Sequence, residues 1–223
     1  MRTIRVTGKG NLKVHPDMTR ITMELKGQYP AYDETFRHSS EDTEKLKNIL
    51  AEFGFERTDL KTLNFYVYTE YESYEERHMG RKEYKRRLVG YNFKHTLKFE
   101  FESDNNLLGK ILYALANSSL KPEFQISYTV KDRETAKNEL LAKAVADSAA
   151  KASILTKAAG VTLRNIQSID YSWGEISFDF TPMKHFSFEC NDEPSMANGG
   201  YDMNIEPDDI DVSDTVTVIW EIE

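Results

Sequence analysis

Residues 6–18 read VTGKGNLKVHPDM, and the fold turns on what Gly8-Lys9-Gly10 does there. A phosphate-binding loop needs a strand, a glycine turn and then a helix whose N-terminus faces the anion. Here the glycines lead into more strand-like residues and His15-Pro16-Asp17, with no Gly-Lys-Ser/Thr sequence, so a lone GxG is weak support for a nucleotide site. Glycine tolerates positive φ, and Asp17 after Pro16 suits a tight turn. The stretch therefore reads as a hairpin turn. Residues 3–7 and 18–28 alternate apolar with polar on either side of it, through Ile4 and Val6, then Met18, Ile21, Met23 and Leu25. That alternation predicts two strands, each with one buried face.

Working outward, the period changes. From Tyr32 to Phe53, residues Phe36, Thr43, Leu46, Ile49, Leu50 and Phe53 recur at three- and four-residue spacings, the mark of an amphipathic helix. Gly54 follows where a left-handed terminator is wanted. Residues 60–101 then read as one long β-hairpin centred on RHMGRKE, residues 77–83. A three-residue loop at Met79-Gly80-Arg81 sets Arg77 opposite Glu83, Glu75 opposite Lys85, Val67 opposite Phe93 and Leu63 opposite Leu97. A two-residue loop would oppose Glu76 to Glu83, and like charges across a ladder are unfavourable; the first register is preferred. At ~3.3 Å per residue the arm 60–78 reaches roughly 63 Å. A compact body of this length has a radius of gyration near ~17 Å, hence a diameter of about 44 Å. The hairpin tip is expected to protrude.

Asp104 is placed to cap a helix over 105–117, and a strand follows Pro122 through Phe124, Ile126, Tyr128 and Val130. Asp132 begins a long helix to Ala159, closed by Gly160. Nine alanines lie in that helix (136, 142, 144, 146, 149, 150, 152, 158 and 159); they favour helix and let another backbone approach closely. Strands at 166–173 and 212–222 complete the order ββαββαβαββ. The expectation is an α+β fold: a mixed, mainly antiparallel sheet with helices packed on one face and a long protruding hairpin. No linker divides the chain, so 1–223 reads as one domain with a hairpin arm at about 60–101 and an irregular acidic loop at about 174–211.

Bulk composition narrows the function. Of 223 residues, 30% are charged and 39% hydrophobic, with a net charge of −8. Such a chain folds as a globule and does not attract nucleic acid or anionic membrane. A single cysteine, Cys190, excludes an internal disulfide and fits a reducing compartment. No apolar stretch after Met1 resembles a leader, and none is long enough to cross a membrane. The expected location is the cytoplasm, or the periplasm if a leader has been removed.

Four stretches together resemble one family: IRVTGKGNLKVHPDMTRITMEL (4–25), VGYNFKHTLKFEFES (89–103), AKNELLAKAVADSAAKASILTKAAGV (136–161) and VTVIWEIE (216–223). They look like the SIMPL domain family, over essentially the whole chain. The most specific parts are the GxG…PD opening and the Ala/Lys-rich helix ending in Gly. The resemblance implies an α+β fold, ring-like or channel-like homo-oligomers in some bacterial members, and a signalling-adaptor role for an animal member. It implies no catalytic residues. Many bacterial members are similar to exported envelope proteins, and the lack of a leader departs from that pattern.

No catalytic constellation is visible. His15, His38, His78, His95 and His185 are scattered, without zinc-helix spacing or a cysteine pair; no cofactor or metal is expected. His95 falls on the apolar phase Tyr91, Phe93, Leu97, Phe99 and reads as a hydrogen-bonded core histidine. Cys190 sits between Glu189 and Asp192, and neighbouring carboxylates disfavour a thiolate. The acids of PDDIDVSD (207–214) lack the spacing and glycine of a calcium loop.

Charge is distributed more tellingly. Residues 77–87 carry six cations (Arg77, Arg81, Lys82, Lys85, Arg86 and Arg87) against Glu83, whereas 174–214 carry eleven acids, among them Asp202, Glu206, Asp208 and Asp209, against Lys184. One reading leaves both solvated, the tip partly neutralised across the hairpin by Glu70, Glu72, Glu75 and Glu76. The sharper reading docks the basic tip on the acidic loop of a neighbouring subunit, a heterologous contact that builds rings or filaments. Tyr66 and Tyr68 face away from the apolar phase, beside Asn92 and Lys94, and read as interface residues rather than base-stacking ones. Three functions stay open: an oligomerising scaffold or binding protein, an adaptor recruiting a protein partner through 174–211, and an enzyme using buried carboxylates.

Overall fold

The computed structural model describes residues 2–78, 81–171, 176–179, 181 and 205–223. The elements are β1 (Arg2–Val14), β2 (Met18–Tyr29), α1 (Tyr32–Ala51), β3 (Lys61–His78), β4 (Arg81–Glu102), α2 (Asn105–Asn117), β5 (Glu123–Thr129), α3 (Arg133–Ala159), β6 (Leu163–Tyr171) and β7 (Ile210–Ile222). The order and the α+β class are those the periodicities predict. The strands form two antiparallel sheets, however, ordered β1-β7-β6 and β3-β4-β2-β5.

The glycine stretch is where the sequence expectation fails. Gly8-Lys9-Gly10 is no turn. β1 runs through it, pairing with β7 from Arg2↔Ile222 to Val14↔Ile210, and the chain leaves the strand only at His15-Pro16-Asp17. β1 and β2 are consecutive but lie in different sheets. Val6, Gly8 and Gly10 share the buried phase of β1, and α3 lies on it. A Cβ on Gly8 would stand 2.0 Å from the Ala144 carbonyl oxygen, and one on Gly10 2.2 Å from that of Leu140. The glycines are there to admit a helix backbone.

The two compact units each have their own construction. One comprises Met1–Met18, Tyr128–Thr181 and Pro207–Glu223. Its helix α3 starts where Asp132 accepts from the Thr135 N–H (2.9 Å) and ends at Gly160, φ 70°, with Val161 N–H returning to the Thr156 carbonyl (3.0 Å). Its buried residues Ala136, Leu140, Ala144, Ser148, Ala152 and Thr156 recur every four positions, a single ridge laid on the sheet. Val6, Val216, Val218 and Trp220 pack under one part of it, and Val130, Phe178, Ile210 and Val212 under another.

The other unit comprises Thr19–Ser127 and Pro182–Glu206. Its described elements run β2-α1-β3-β4-α2-β5 with sheet order β3-β4-β2-β5, the split β-α-β arrangement of ferredoxin-like folds. Ile21, Met23 and Leu25 of β2 and Phe93, Leu97, Phe99 and Phe101 of β4 are buried, as are Leu46 and Leu50 of α1 and Leu108, Ile111, Leu112 and Leu115 of α2. Asp104 caps α2 as predicted, accepting from Asn106 and Leu107 N–H.

Candidate functional site

The candidate surface of this second unit is its long hairpin. Val67 pairs with Phe93 as expected, but the tip does not follow the preferred register. His78 pairs with Arg81, leaving a two-residue connection, and Glu76 faces Glu83. The ladder slips by one residue at Val89, between Glu70↔Gly90 and Tyr71↔Leu88, and again at Leu63, so that Thr62 rather than Leu63 meets Leu97. Bulges are invisible to a register drawn from charge pairing. Lys85 pairs with Glu76, and Lys82 reaches Glu75 at 3.0 Å.

Gly90 marks a boundary along the hairpin. β2 ends at Tyr29, and a Cβ on Gly90 would come within 2.4 Å of the Tyr29 carbonyl oxygen. Up to that point β4 alternates buried and half-buried residues; beyond it, every described side chain from Tyr71 to Glu76 and from Tyr84 to Val89 is exposed. The predicted basic residues lie here, and the hairpin itself engages Lys82, Lys85, Arg86 and Arg87. Arg87 pairs with Glu72 at 2.7 Å and lies over the Tyr74 ring, while Arg86 lies over the Tyr71 ring. Hydrogen bonding to Glu76, ahead of simple attraction, raises the Lys85 pKa. Arg77 and Arg81 lie opposite Lys82 and His78 in the ladder. From 70 to 87 the sequence has six cations against five carboxylates; the arm is no isolated basic tip.

Tyr66 and Tyr68 stand on the open face of the four-stranded sheet, opposite Lys94 and Asn92, with ring centroids 5.8 Å apart. They border a groove of about 430 Å³ with Glu24, Lys26 and Lys94. Charges on this face are interleaved and paired: Arg20 with Glu100 at 2.7 Å, Lys98 with Glu100 at 3.0 Å, Lys94 with Glu24, Lys26 with Glu123. Burial works to raise the Glu100 pKa, but bonds from Lys98 and Arg20 outweigh it and hold the carboxyl low. A continuous cationic track, which single-stranded nucleic acid requires, is not formed.

On the helix face an aromatic chain runs from Tyr91 through Tyr32, Phe36 and Phe65 to His95, with centroid separations of 5.4, 5.0, 5.7 and 5.0 Å. His95 is the hydrogen-bonded core histidine expected. The single Thr43 hydroxyl proton goes to the Ser39 carbonyl (2.8 Å), so Thr43 Oγ1 accepts from His95 Nδ1–H (3.2 Å). Nε2 is then the acceptor for the Thr62 hydroxyl (2.9 Å). Burial, with Lys47 nearby, lowers the His95 pKa. The ring is neutral and fully engaged, and it floors an open groove of about 360 Å³.

Of the acidic segment, Asp202 and Cys190 lie outside the described residues. Glu206 and Asp208 are exposed, Asp208 accepting the N–H of Asp209, and Asp209 meets His15 Nδ1 at 3.2 Å. Among the described residues no group of histidines, cysteines and acids is placed to hold a metal, and no helix is long and apolar enough to cross a membrane. Sequence reasoning missed the open edge of β3. Its signal was present in TLNFYVYT (62–69), eight residues without charge, proline or glycine.

Comparison with known proteins gives one finding. The family model described as SIMPL, protein of unknown function (DUF541), matches residues 4–220, spanning both units. The chain belongs to the SIMPL family. No curated protein matches it.

Proposed function

We propose, with membership of the SIMPL family as premise, that this chain is a non-enzymatic, self-assembling scaffold or binding protein. One observation carries the reading: large apolar side chains stay exposed on both faces beside β3, with Tyr32, Phe36 and Phe65 on the helix face, Tyr66 and Tyr68 on the open face, and Leu63 at the bulge. Large apolar side chains grouped along one strand in this way mark an interaction surface. Because Lys82, Lys85, Arg86 and Arg87 are engaged within the hairpin, the association is apolar rather than electrostatic. The family match across both units supports treating them as one functional domain. The test is mass by light scattering on a sizing column, at low salt and near ~1 M salt, where surface charges are screened within ~3 Å. A discrete multiple of the chain mass at both salts is the expected result. An assembly that dissociates in salt restores docking of arm on acidic loop. A monomer at both removes the scaffold and turns attention to 174–211 as an adaptor site for another protein.

A further inference from the structure

We infer that the outer edge of β3, residues 62–69, is a self-pairing edge, and that its occupant is β3 of a second copy of this chain. The inference rests on the self-assembly reading above and names the surface that performs it.

β3 ends the sheet order β3-β4-β2-β5, and among the described residues the strand it pairs with is β4. An edge strand presents unpaired N–H and C=O groups, and proteins normally blunt such edges with charge, proline, brevity or cover. Residues 62–69 carry no charge and no proline, in a strand of 18 residues. The bulge at Leu63 lies at one end and leaves 64–70 in unbroken register with β4.

The flanking side chains match a strand partner on both faces. Phe65 and Val67 lie opposite His95 and Phe93 on the helix face, and Tyr66 and Tyr68 opposite Lys94 and Asn92 on the open face. A two-fold axis through Val67 keeps faces matched. It sets Tyr66 against Tyr68 of the second copy and the reverse, Phe65 against Thr69, and Asn64 against Glu70. No like charges meet, and four tyrosines cluster on the open face, a favourable cross-strand arrangement. A two-fold contact of this kind closes on itself.

The area suffices. Tyr32, Phe36, Leu63, Phe65, Tyr66 and Tyr68 are each 37% to 53% exposed. At roughly 200 Å² per large side chain they leave about 550 Å² open. Stable interfaces bury ~800 Å² per partner, and the strand backbone with Asn64, Val67 and Thr69 supplies the remainder.

Two variants test this beside the unaltered chain, with circular dichroism confirming that each folds. Tyr66→Lys with Tyr68→Lys places four like charges at the pairing line. The expected result is a halving of the light-scattering mass, or more, relative to the unaltered chain. Val67→Cys in a Cys190→Ser background puts two thiols on the axis, and mild oxidation is expected to yield a covalent dimer on a non-reducing gel. If the unaltered chain assembles while the double-lysine variant keeps its full mass and the thiol variant stays uncrosslinked, the edge assignment is overturned and self-assembly stands. A monomeric unaltered chain overturns both.

Discussion

Two edge strands of this protein are finished in opposite ways. β1 is the edge of the three-stranded sheet, and α3 takes up part of its outer backbone: Asp147 Oδ2 accepts the Lys9 N–H at 2.7 Å and Lys151 Nζ reaches the Thr7 carbonyl at 3.4 Å, while Ser148 Oγ adds a bond to the inward-facing Val6 carbonyl at 3.2 Å. β3 is the edge of the four-stranded sheet, and exposed aromatics flank it instead. The first edge is partly closed within the chain. The second is the edge proposed above to take a second copy of the chain. What permits the closed edge is the absence of side chains at Gly8 and Gly10, which brings the helix within hydrogen-bonding reach of a strand it does not pair with.

The largest effect that would break this contrast is at the glycines. Gly8→Val has no space to enter, so α3 must lift from β1. A loss of about 3 kcal/mol or more is expected, above the usual ~1–3 for overpacking because the obstacle is backbone. It is read as a lower urea midpoint with unchanged slope. Gly8→Ala should lose less but move the same way. Equal stability for Gly8→Ala and the unaltered chain would show that the seam is looser than the geometry requires.

The β1 edge can be uncovered more gently. Asp147→Ala removes the acceptor for the Lys9 N–H and is expected to lower the urea midpoint slightly, with faster amide exchange at Lys9. Hydrogen bonds from Lys151 first, then from the Lys9 backbone, lower the Asp147 pKa. The folded chain therefore holds this carboxylate more strongly than the unfolded chain does. Its stabilisation is full above the unfolded value of 3.8 and is lost as pH falls through the lower folded one. Asp147→Asn should weaken that acid dependence.

A third measurement addresses the support of the open edge. Thr43→Val leaves His95 Nδ1 without its acceptor beneath Phe65, and about 1–2 kcal/mol is expected to be lost. His95 also sets a pH dependence. Its folded pKa lies below 6.5, so the unfolded chain takes up the proton first. Stability is full above 6.5 and falls as pH drops from there toward the folded value. His95→Gln should flatten denaturation midpoints across that interval. The charges that bear on the ring are Lys47, which disfavours its protonation, and Glu44, which shares the groove and pairs with Lys47 at 3.0 Å.

The smallest effect should come from the arm. Glu72→Gln breaks an exposed pair with Arg87, worth ~0.5 kcal/mol or less, and should leave assembly mass unchanged. A clear loss of mass would return the interface to electrostatics.

The sequence by itself determined the element order, because amphipathic periods of two and of 3.6 and the caps at Asp104, Asp132 and Gly160 are local signals. It also determined that His95 points inward and that Tyr66 and Tyr68 point away from the helices, since alternation along a strand settles faces. Only the tertiary structure decided that Gly8 and Gly10 sit in a strand. A glycine that frees a turn and one that admits a helix look alike until the helix is in place. The hairpin tip was misread for a related reason: one residue of slip at Val89 costs little locally but moves every later pair. Division of the strands between two sheets, and hence which edges are covered, rests on pairings between residues as far apart as Arg2 and Ile222. Those contacts are fixed by packing, and no local pattern encodes them.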